Sequence, residues 1–254
     1  PGVRGPNERT PKGTLLWTPD GYKRLWKRNE DKGLIATEDR TVYKAKDVHV
    51  AGLRDAIRVP EGKKLVVVDS SNIELRVCHL YAGQYDSVEK LRSGVDMYAD
   101  FATDLYGYEV TKANKRERQH GKVAMLQLQY QSAWRAFRKA ARIMGGIKLS
   151  ELESMQTVDL YRGRFSAIPK QWRRCQAAIL DIVAGNETWL DDHGLCRTTH
   201  NGIVLPNGMT IQYADLRQHV FEEGERPAWV YDNKETFKMK NLYGGSIVEN
   251  ISQA

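Results

Sequence analysis

Four consecutive apolar residues, at positions 65–68, run directly into the carboxylate of Asp69. An uninterrupted apolar run of this length predicts a strand that is buried on both faces. The next run, residues 73–83, has helical periodicity and ends at a glycine, which predicts a helix after a short turn. A strand followed by a helix indicates an α/β fold in which the strand fixes the Asp69 carboxylate at its end.

Helical patterns dominate the chain after this unit. Residues 87–145 are mostly helical in pattern, and glycines predict breaks near Gly94, near Gly107 and at residues 145–146. A further helical block covers about residues 150–190. The middle of the chain is therefore expected to be a mostly helical domain.

The two ends of the chain have different patterns. Residues 1–62 are polar and predict a lead-in segment with a short helix from Pro19. Residues 202–213 predict a β-hairpin, because two β-prone runs flank a Pro–Asn–Gly turn. Residues 239–254 end in a helical pattern with one apolar face and no capping glycine, so we expect a terminal helix at which the chain is cut short.

Charge gives a weak indication of the binding partner. The chain of 254 residues has 39 Lys and Arg against 32 Asp and Glu, a formal charge of +7. A moderate basic excess favours nucleic acid or another polyanion as the partner, although many basic proteins bind neither.

The cysteines and the hydropathy indicate the compartment. Three scattered cysteines fit neither a disulfide framework nor a zinc-binding spacing, which favours a reducing compartment. No apolar run approaches the roughly 20 residues that span a bilayer, and the N-terminal residues lack the apolar core of a signal peptide. We therefore expect a cytoplasmic protein without membrane contact.

Two carboxylates near the predicted strand are candidates for chemistry. Phosphoryl transfer often uses two divalent metals about 4 Å apart, held by hard oxygen ligands, and Asp69 is suited to that task. The alternative for Asp69 is a helix cap or a surface ion pair. Glu74 lies in the first helical turn, where the helix dipole alone favours an acid, so spacing does not assign it to a site.

A second candidate binding site is a stripe of four residues spaced at i, i+4, i+8 and i+12 along one predicted helix. Each step of four residues turns about 400°, so the stripe winds slowly around the helix. It has two cations at its N-terminal end and an aromatic ring at its C-terminal end, which suits a triphosphate and a base. The alternative is an amphipathic helix with a solvated basic face. The stripe comprises Arg118, Lys122, Leu126 and Tyr130.

These elements occur in the order found in one enzyme family. The sequence DSSNIELR, at residues 69–76, resembles motif A of the family A DNA polymerases, which include bacterial DNA polymerase I and phage enzymes. RQHGKVAMLQLQYQ, at residues 118–131, resembles their fingers motif B. LPNGMTIQY and YGGSIVENISQA resemble the hairpin and the palm helix of phage members. The resemblance covers about residues 52–254.

The resemblance implies a role for each matched residue. Asp69 and the Ser70 carbonyl would ligate Mg²⁺, of which the complete enzyme holds two ions. Glu74 would select deoxynucleotides, and Tyr130 would stack near the templating pair. The resemblance also implies that Arg118 and Lys122 would hold the dNTP triphosphate, and that Lys122 would protonate the departing pyrophosphate. Gln253 would contact primer–template DNA.

The chain departs from the family pattern at single residues and at one whole motif. Leu126 replaces a common aromatic residue, Gln131 replaces the usual glycine, and Glu249 stands near an expected asparagine. Motif C, which supplies the second metal aspartate, does not occur in this sequence. We therefore expect a second polypeptide or a longer chain to supply it. The alternative is an inactive replisome subunit that binds DNA or nucleotide, with basic residues near 135–142 and 162–174 as a docking face.

The predicted architecture follows from the resemblance. We expect an α/β fold that combines a partial polymerase palm, an antiparallel sheet with helices, with a mostly helical fingers domain. The predicted boundaries are a lead-in at 1–62, a palm segment with motif A at 63–92, fingers at 93–238 and a helix returning to the palm at 239–254.

Overall fold

The computed structural model describes residues 14–29, 34–44, 47–50, 59–233 and 236–254. The chain divides into two compact units, Pro1–Asp69 and Ser70–Ala254. The regular secondary structure described in the first unit is mainly strand, and that in the second is mainly helix. The α/β class is therefore confirmed, with antiparallel sheets.

The first unit contains one five-stranded antiparallel sheet, with the strand order β4-β3-β2-β1-β5. Apolar side chains at Leu16, Leu25, Ile35, Tyr43 and Val48 are buried together and form its small core. The strands are β1 (Leu15–Thr18), β2 (Gly21–Asn29), β3 (Leu34–Thr37), β4 (Val42–Lys44) and β5 (His49–Val50).

The predicted helix from Pro19 is wrong, because this region is a tight β-hairpin. Thr18 pairs with Gly21 at the end of β1 and β2. Pro19 presets the turn, and Gly21 has a φ of 102°, which a glycine adopts without strain. The Thr18 hydroxyl donates to the Gly21 carbonyl at 2.8 Å and closes the turn.

The predicted buried strand at residues 65–68 is also wrong. This segment is neither strand nor helix, and its four apolar side chains are between 57% and 85% exposed. An apolar run becomes a strand only when a neighbouring strand accepts its backbone hydrogen bonds. None of the three sheets within the described residues includes it.

The helices of the second unit confirm the predicted pattern and its breaks. Gly94, Gly107 and Gly146 follow three of the helices with positive φ, as the sequence predicts. The helices are α1 (Ile73–Tyr81), α2 (Tyr85–Arg92), α3 (Met97–Tyr106), α4 (Lys115–Leu128), α5 (Trp134–Gly145), α6 (Glu151–Arg164), α7 (Ala167–Ala177), α8 (Ile179–Ala184) and α9 (Gly244–Gln253).

Two small antiparallel sheets complete the second unit. The predicted hairpin is confirmed, since Gly202 pairs with Gln212 and Val204 with Thr210 across the Pro–Asn–Gly turn. The first sheet contains β6 (Arg197–Thr199), β7 (Gly202–Val204) and β8 (Thr210–Gln212), and the second contains β9 (Arg217–His219), β10 (Ala228–Asn233) and β11 (Lys238–Asn241).

Helix α4 crosses the core of the second unit. Its residues Val123, Ala124, Met125 and Leu128 are buried, and α3 packs closely against it at Gly121. A Cβ atom on Gly121 would lie 2.1 Å from the Tyr98 carbonyl oxygen, so only glycine allows this approach. Within the described ranges, none of the helices is both long and apolar enough to cross a membrane.

Candidate functional site

A hydrogen bond joins the two predicted motifs within the second unit. Glu74 lies in the first turn of α1, and Tyr130 follows the end of α4. The Tyr130 hydroxyl donates to Glu74 Oε2 at 3.1 Å, although the two residues are 56 positions apart. Spacing alone left Glu74 outside any site, and the fold brings it to the end of the predicted stripe.

Arg118 is held by a carboxylate on the neighbouring helix. Asp96 is the N-cap of α3 and accepts hydrogen bonds from the backbone N–H groups of Tyr98 and Ala99. Its other oxygen lies 2.7 Å from Arg118 Nε, with both side chains mostly buried. Partial burial acts to raise the pKa of Asp96, but Arg118 and the two N–H groups outweigh it and lower the pKa.

Tyr98 supports both cations of the stripe. The Arg118 guanidinium lies 5.6 Å and Lys122 Nζ 5.9 Å from the centre of its ring, within reach of a cation–π interaction. The Tyr98 hydroxyl donates to Asn72 Oδ1 at 2.8 Å, just before α1. One aromatic side chain therefore connects the start of α1 with the basic end of α4.

Lys122 differs from Arg118 in its partners. Among the residues that the structure describes, Lys122 makes no ion pair. Its ammonium group is partly exposed beside the Tyr98 ring. A free cation next to a fixed one is the arrangement that an incoming anion can enter without first breaking an ion pair.

Glu249 brings a second carboxylate toward Glu74. It lies on α9, which packs against α1. Burial and then the charge of Glu74 raise the pKa of Glu249. Burial, then Cys78 and Glu74, raise the pKa of Tyr130 far above its usual value, so its hydroxyl remains a donor at neutral pH. Glu74 therefore accepts a hydrogen bond from Tyr130 and interacts electrostatically with the carboxyl group of Glu249.

Asp69 and Ser70 are adjacent in the chain, and both side chains are exposed. A carboxylate and a backbone carbonyl are hard oxygen donors, so they fit Mg²⁺ in kind. Within the described residues, no group of three or more His, Cys, Asp or Glu is gathered to hold a metal ion. Mg²⁺ at these two donors would therefore need further ligands, such as water or substrate phosphates.

Gln253 is the last residue of α9. Its exposed side chain lines a cleft of about 570 Å³ with Glu249, Tyr243 and Asn250. The cleft is polar and open, which suits a hydrated partner. A contact between Gln253 and DNA remains a prediction.

Sequence reasoning missed three residues that build this site: Asn72, Asp96 and Tyr98. Asp96 directly precedes a helical run, so its cap position could have been found from the sequence. Its pairing with Arg118, 22 residues away, could not, because no local spacing connects α3 with α4.

Comparisons with known proteins match most of the chain to phage enzymes. It is 31% identical over 210 residues to the DNA polymerase of Bacillus phage SP02, which is 80% of this chain and 32% of that protein. It is 28% identical over 125 residues to the DNA polymerase of Bacillus phage SP01, 49% of this chain and 13% of that protein.

The resemblance to phage DNA polymerases is confirmed. No family model matches the chain. The chain spans about a third of the length of the SP02 polymerase. The match therefore does not assign the activity of the whole polymerase to this chain. The assignment to family A remains a prediction.

Proposed function

We propose that this chain is the palm–fingers portion of a DNA-directed DNA polymerase of family A, which acts on dNTPs and primer–template DNA. The hydrogen bond between Tyr130 and Glu74 carries the proposal. The two motifs lie far apart in the sequence, and one side chain from each meets the other in the fold. Similarity to two phage DNA polymerases supports the same function.

The basic residues of α4 would bind the nucleotide triphosphate. Lys122, unlike Arg118, makes no ion pair in the described residues, so it would be the first contact for the phosphates. Arg118 is held by Asp96 and oriented by Tyr98, and it adds a fixed positive charge one turn away. A preorganised cation stabilises developing negative charge without reorganisation cost.

In the reaction, the primer 3′-hydroxyl would lose its proton to solvent as its oxygen bonds to the α-phosphorus of the dNTP, and the bond from that phosphorus to pyrophosphate would break. Lys122 would donate a proton to the departing pyrophosphate. Asp69 and the Ser70 carbonyl would hold Mg²⁺, which neutralises phosphate charge when bound. A second polypeptide or further chain would supply the other metal aspartate.

Glu74 would check the sugar of the bound nucleotide. The bond from Tyr130 fixes the Glu74 carboxylate in one orientation. A fixed side chain excludes a ribose 2′-hydroxyl better than a mobile one, because it cannot move aside without losing its hydrogen bond. Tyr130 thus acts through Glu74 as well as through its own ring.

Nucleotide binding by the isolated chain tests the proposal. Lys122→Gln should weaken dNTP–Mg²⁺ binding roughly 10- to 100-fold, the loss expected for a charged hydrogen-bonding group. Isothermal titration calorimetry measures this binding. Lys112→Gln is the matched control, because Lys112 is exposed and makes no ion pair within the described residues. Equal affinities of the two variants would contradict the proposal.

Primer extension separates the proposal from its alternative. The chain supplied with a polypeptide carrying motif C should extend a primer, and Asp69→Ala should abolish this. Nucleotide binding that depends on Lys122, without extension under any such condition, would instead indicate an inactive nucleotide-binding subunit.

A further inference from the structure

One short segment concentrates the positive charge of the chain. Residues 131–150 contain five Lys and Arg and no Asp or Glu, against a net charge of +7 for all 254 residues. The segment comprises α5 and the turn that follows it. Its charge is therefore local, and the candidate nucleotide site uses none of these five cations.

The five cations line one groove. Four of them lie on α5 at i, i+3, i+4 and i+7, which places them on one helix face. The chain then reverses at Gly146 and brings the fifth back beside this face. The groove has a volume of about 520 Å³ and is lined by Arg135, Arg138, Lys139, Arg142, Lys148 and Leu149.

Arg138 fixes the wall of the groove. Its Nε donates to the Leu149 carbonyl at 2.9 Å, and its terminal nitrogen lies 3.2 Å from Glu151. Within the described residues, the other four cations make no ion pair, and Arg135 instead lies 4.9 Å from the centre of the Trp134 ring. The groove therefore has a fixed frame and four cations that no acid neutralises.

Solvation alone explains this face poorly. Like charges at i, i+3 and i, i+4 destabilise a helix, by tenths of a kcal/mol per pair. A face that serves only solubility usually mixes both signs. Helix α6 does so, since it begins with Glu151 and Glu153 and ends with Arg162 and Arg164. Concentrated charge of one sign on α5 points to an anionic ligand.

We infer that this groove binds the phosphodiester backbone of single-stranded DNA. Cations one helical turn apart on this face are separated by about 5 to 6 Å along the helix axis, so they can contact successive phosphates of one strand. The groove lies between one helix and the segment that returns beside it, so we expect it to hold one strand rather than a duplex. Arginine and lysine contacts to phosphates give affinity without sequence preference. The choice of DNA as the polyanion rests on the proposed function.

A salt series with the full chain tests the inference. The variant Arg135→Gln/Lys139→Gln/Arg142→Gln/Lys148→Gln removes four cations and keeps Arg138, which holds the groove wall. Its affinity for a labelled oligothymidylate should fall roughly tenfold or more at low salt. The log–log salt slope should decrease by about 3, since each phosphate contact to a single strand contributes about 0.7. Fluorescence anisotropy measures both quantities.

The matched control removes the same charge elsewhere in the chain. Lys63→Gln/Lys112→Gln/Arg226→Gln/Lys238→Gln replaces four exposed cations that make no ion pair in the described part of the chain. Its salt slope should change by less than about 1. Equal losses in both variants would show general attraction to DNA and overturn the groove. Competition by polyglutamate that equals competition by unlabelled oligonucleotide would also overturn it.

The single variant Lys122→Gln separates this inference from the proposed function. It should keep the wild-type salt slope for the oligonucleotide. If no form of the chain binds dNTP, but only the groove variant loses oligonucleotide affinity, the proposed nucleotide site fails and the groove stands. If dNTP binding depends on Lys122 while the groove variant binds DNA like wild type, the groove fails alone.

Discussion

Gln131 shows how a single residue adapts to a position that favours glycine. It directly follows Tyr130 and has a φ of 67°, in the left-handed region where a side chain costs about 1–2 kcal/mol. Its Oε1 accepts a hydrogen bond from the Gly245 N–H at 2.9 Å. That bond satisfies a donor at the start of α9 and offsets part of the strain.

We predict different stabilities for two substitutions at Gln131. Gln131→Ala keeps the strained backbone and loses the hydrogen bond, so it should lower the free energy of unfolding by about 1–2 kcal/mol. Gln131→Gly also loses the bond but relieves the strain, so it should be about 1 kcal/mol more stable than the alanine variant. Urea unfolding measures both values. Equal stabilities would mean that the backbone at Gln131 is not strained.

At the scale of elements, the approach of α3 to α4 decides the geometry of the site. Gly121 lets the two helices meet, and Asp96 and Tyr98 of α3 then reach Arg118 and Lys122 of α4. The electrostatics of the site therefore depend on the absence of a side chain at Gly121, in the helix that contains the proposed nucleotide-binding cations.

Gly121→Ala should separate these helices. The added Cβ would lie 2.1 Å from a backbone oxygen of Tyr98, so the clash requires backbone movement. Overpacking of this kind costs about 1–3 kcal/mol, and dNTP binding should weaken with it. Gly163→Ala is the matched control, since an added Cβ there meets nothing within 4 Å. It should stabilise α6 by up to about 1 kcal/mol. Thermal unfolding and calorimetry check both variants, and a neutral effect of Gly121→Ala would contradict the close packing.

Element positions in the second unit could be predicted from the sequence because the signals there are local. Glycines mark the helix ends, and the Pro–Asn–Gly turn marks the hairpin between β7 and β8. The conformation of residues 65–68 could not be predicted in this way, because an apolar run forms a buried strand only if other strands pair with it. The turn at Pro19 could have been predicted, because Thr–Pro–Asp–Gly is a typical β-turn sequence.

The candidate site was predictable only in part. Helical spacing indicated Arg118, Lys122 and Tyr130, and the family resemblance added Glu74, but neither gave the contacts of these residues with one another. The bonds of Tyr130 to Glu74 and of Arg118 to Asp96 join residues far apart in sequence. Such contacts depend on how helices pack, and a single sequence contains no periodic signal for them.

At the scale of the whole molecule, two buried histidines couple the stability of the second unit to pH. His79 and His120 are almost fully buried, and burial lowers the pKa of each from 6.5 to about 4. His120 contacts Tyr106 at 3.0 Å. His79 packs edge-on against Phe165, and neither of its nitrogens has a hydrogen-bond partner in the described structure. Both therefore remain neutral in the folded protein at pH 7.

This coupling has a definite sign. Between pH 6.5 and pH 4 the unfolded chain binds a proton at each histidine and the folded protein does not, so acid favours unfolding. Their contribution to stability is complete above pH 6.5 and is lost as the pH falls through about 4. Each histidine accounts for about 3 kcal/mol of this loss, at 1.36 kcal/mol per pKa unit.

His79→Leu should make the second unit less sensitive to acid. Leucine fills a similar volume, removes two unpaired polar atoms and does not titrate, so stability at pH 7 should be equal or higher. Between pH 6.5 and 4 the variant should lose about 3 kcal/mol less than wild type. Urea unfolding followed by helical circular dichroism reports on this unit, because the described helices lie within it. His200→Leu, at an exposed position, controls for loss of a histidine as such. Parallel acid curves for wild type and His79→Leu would show that His79 gains a proton without unfolding, and the buried neutral state assigned to it would be wrong.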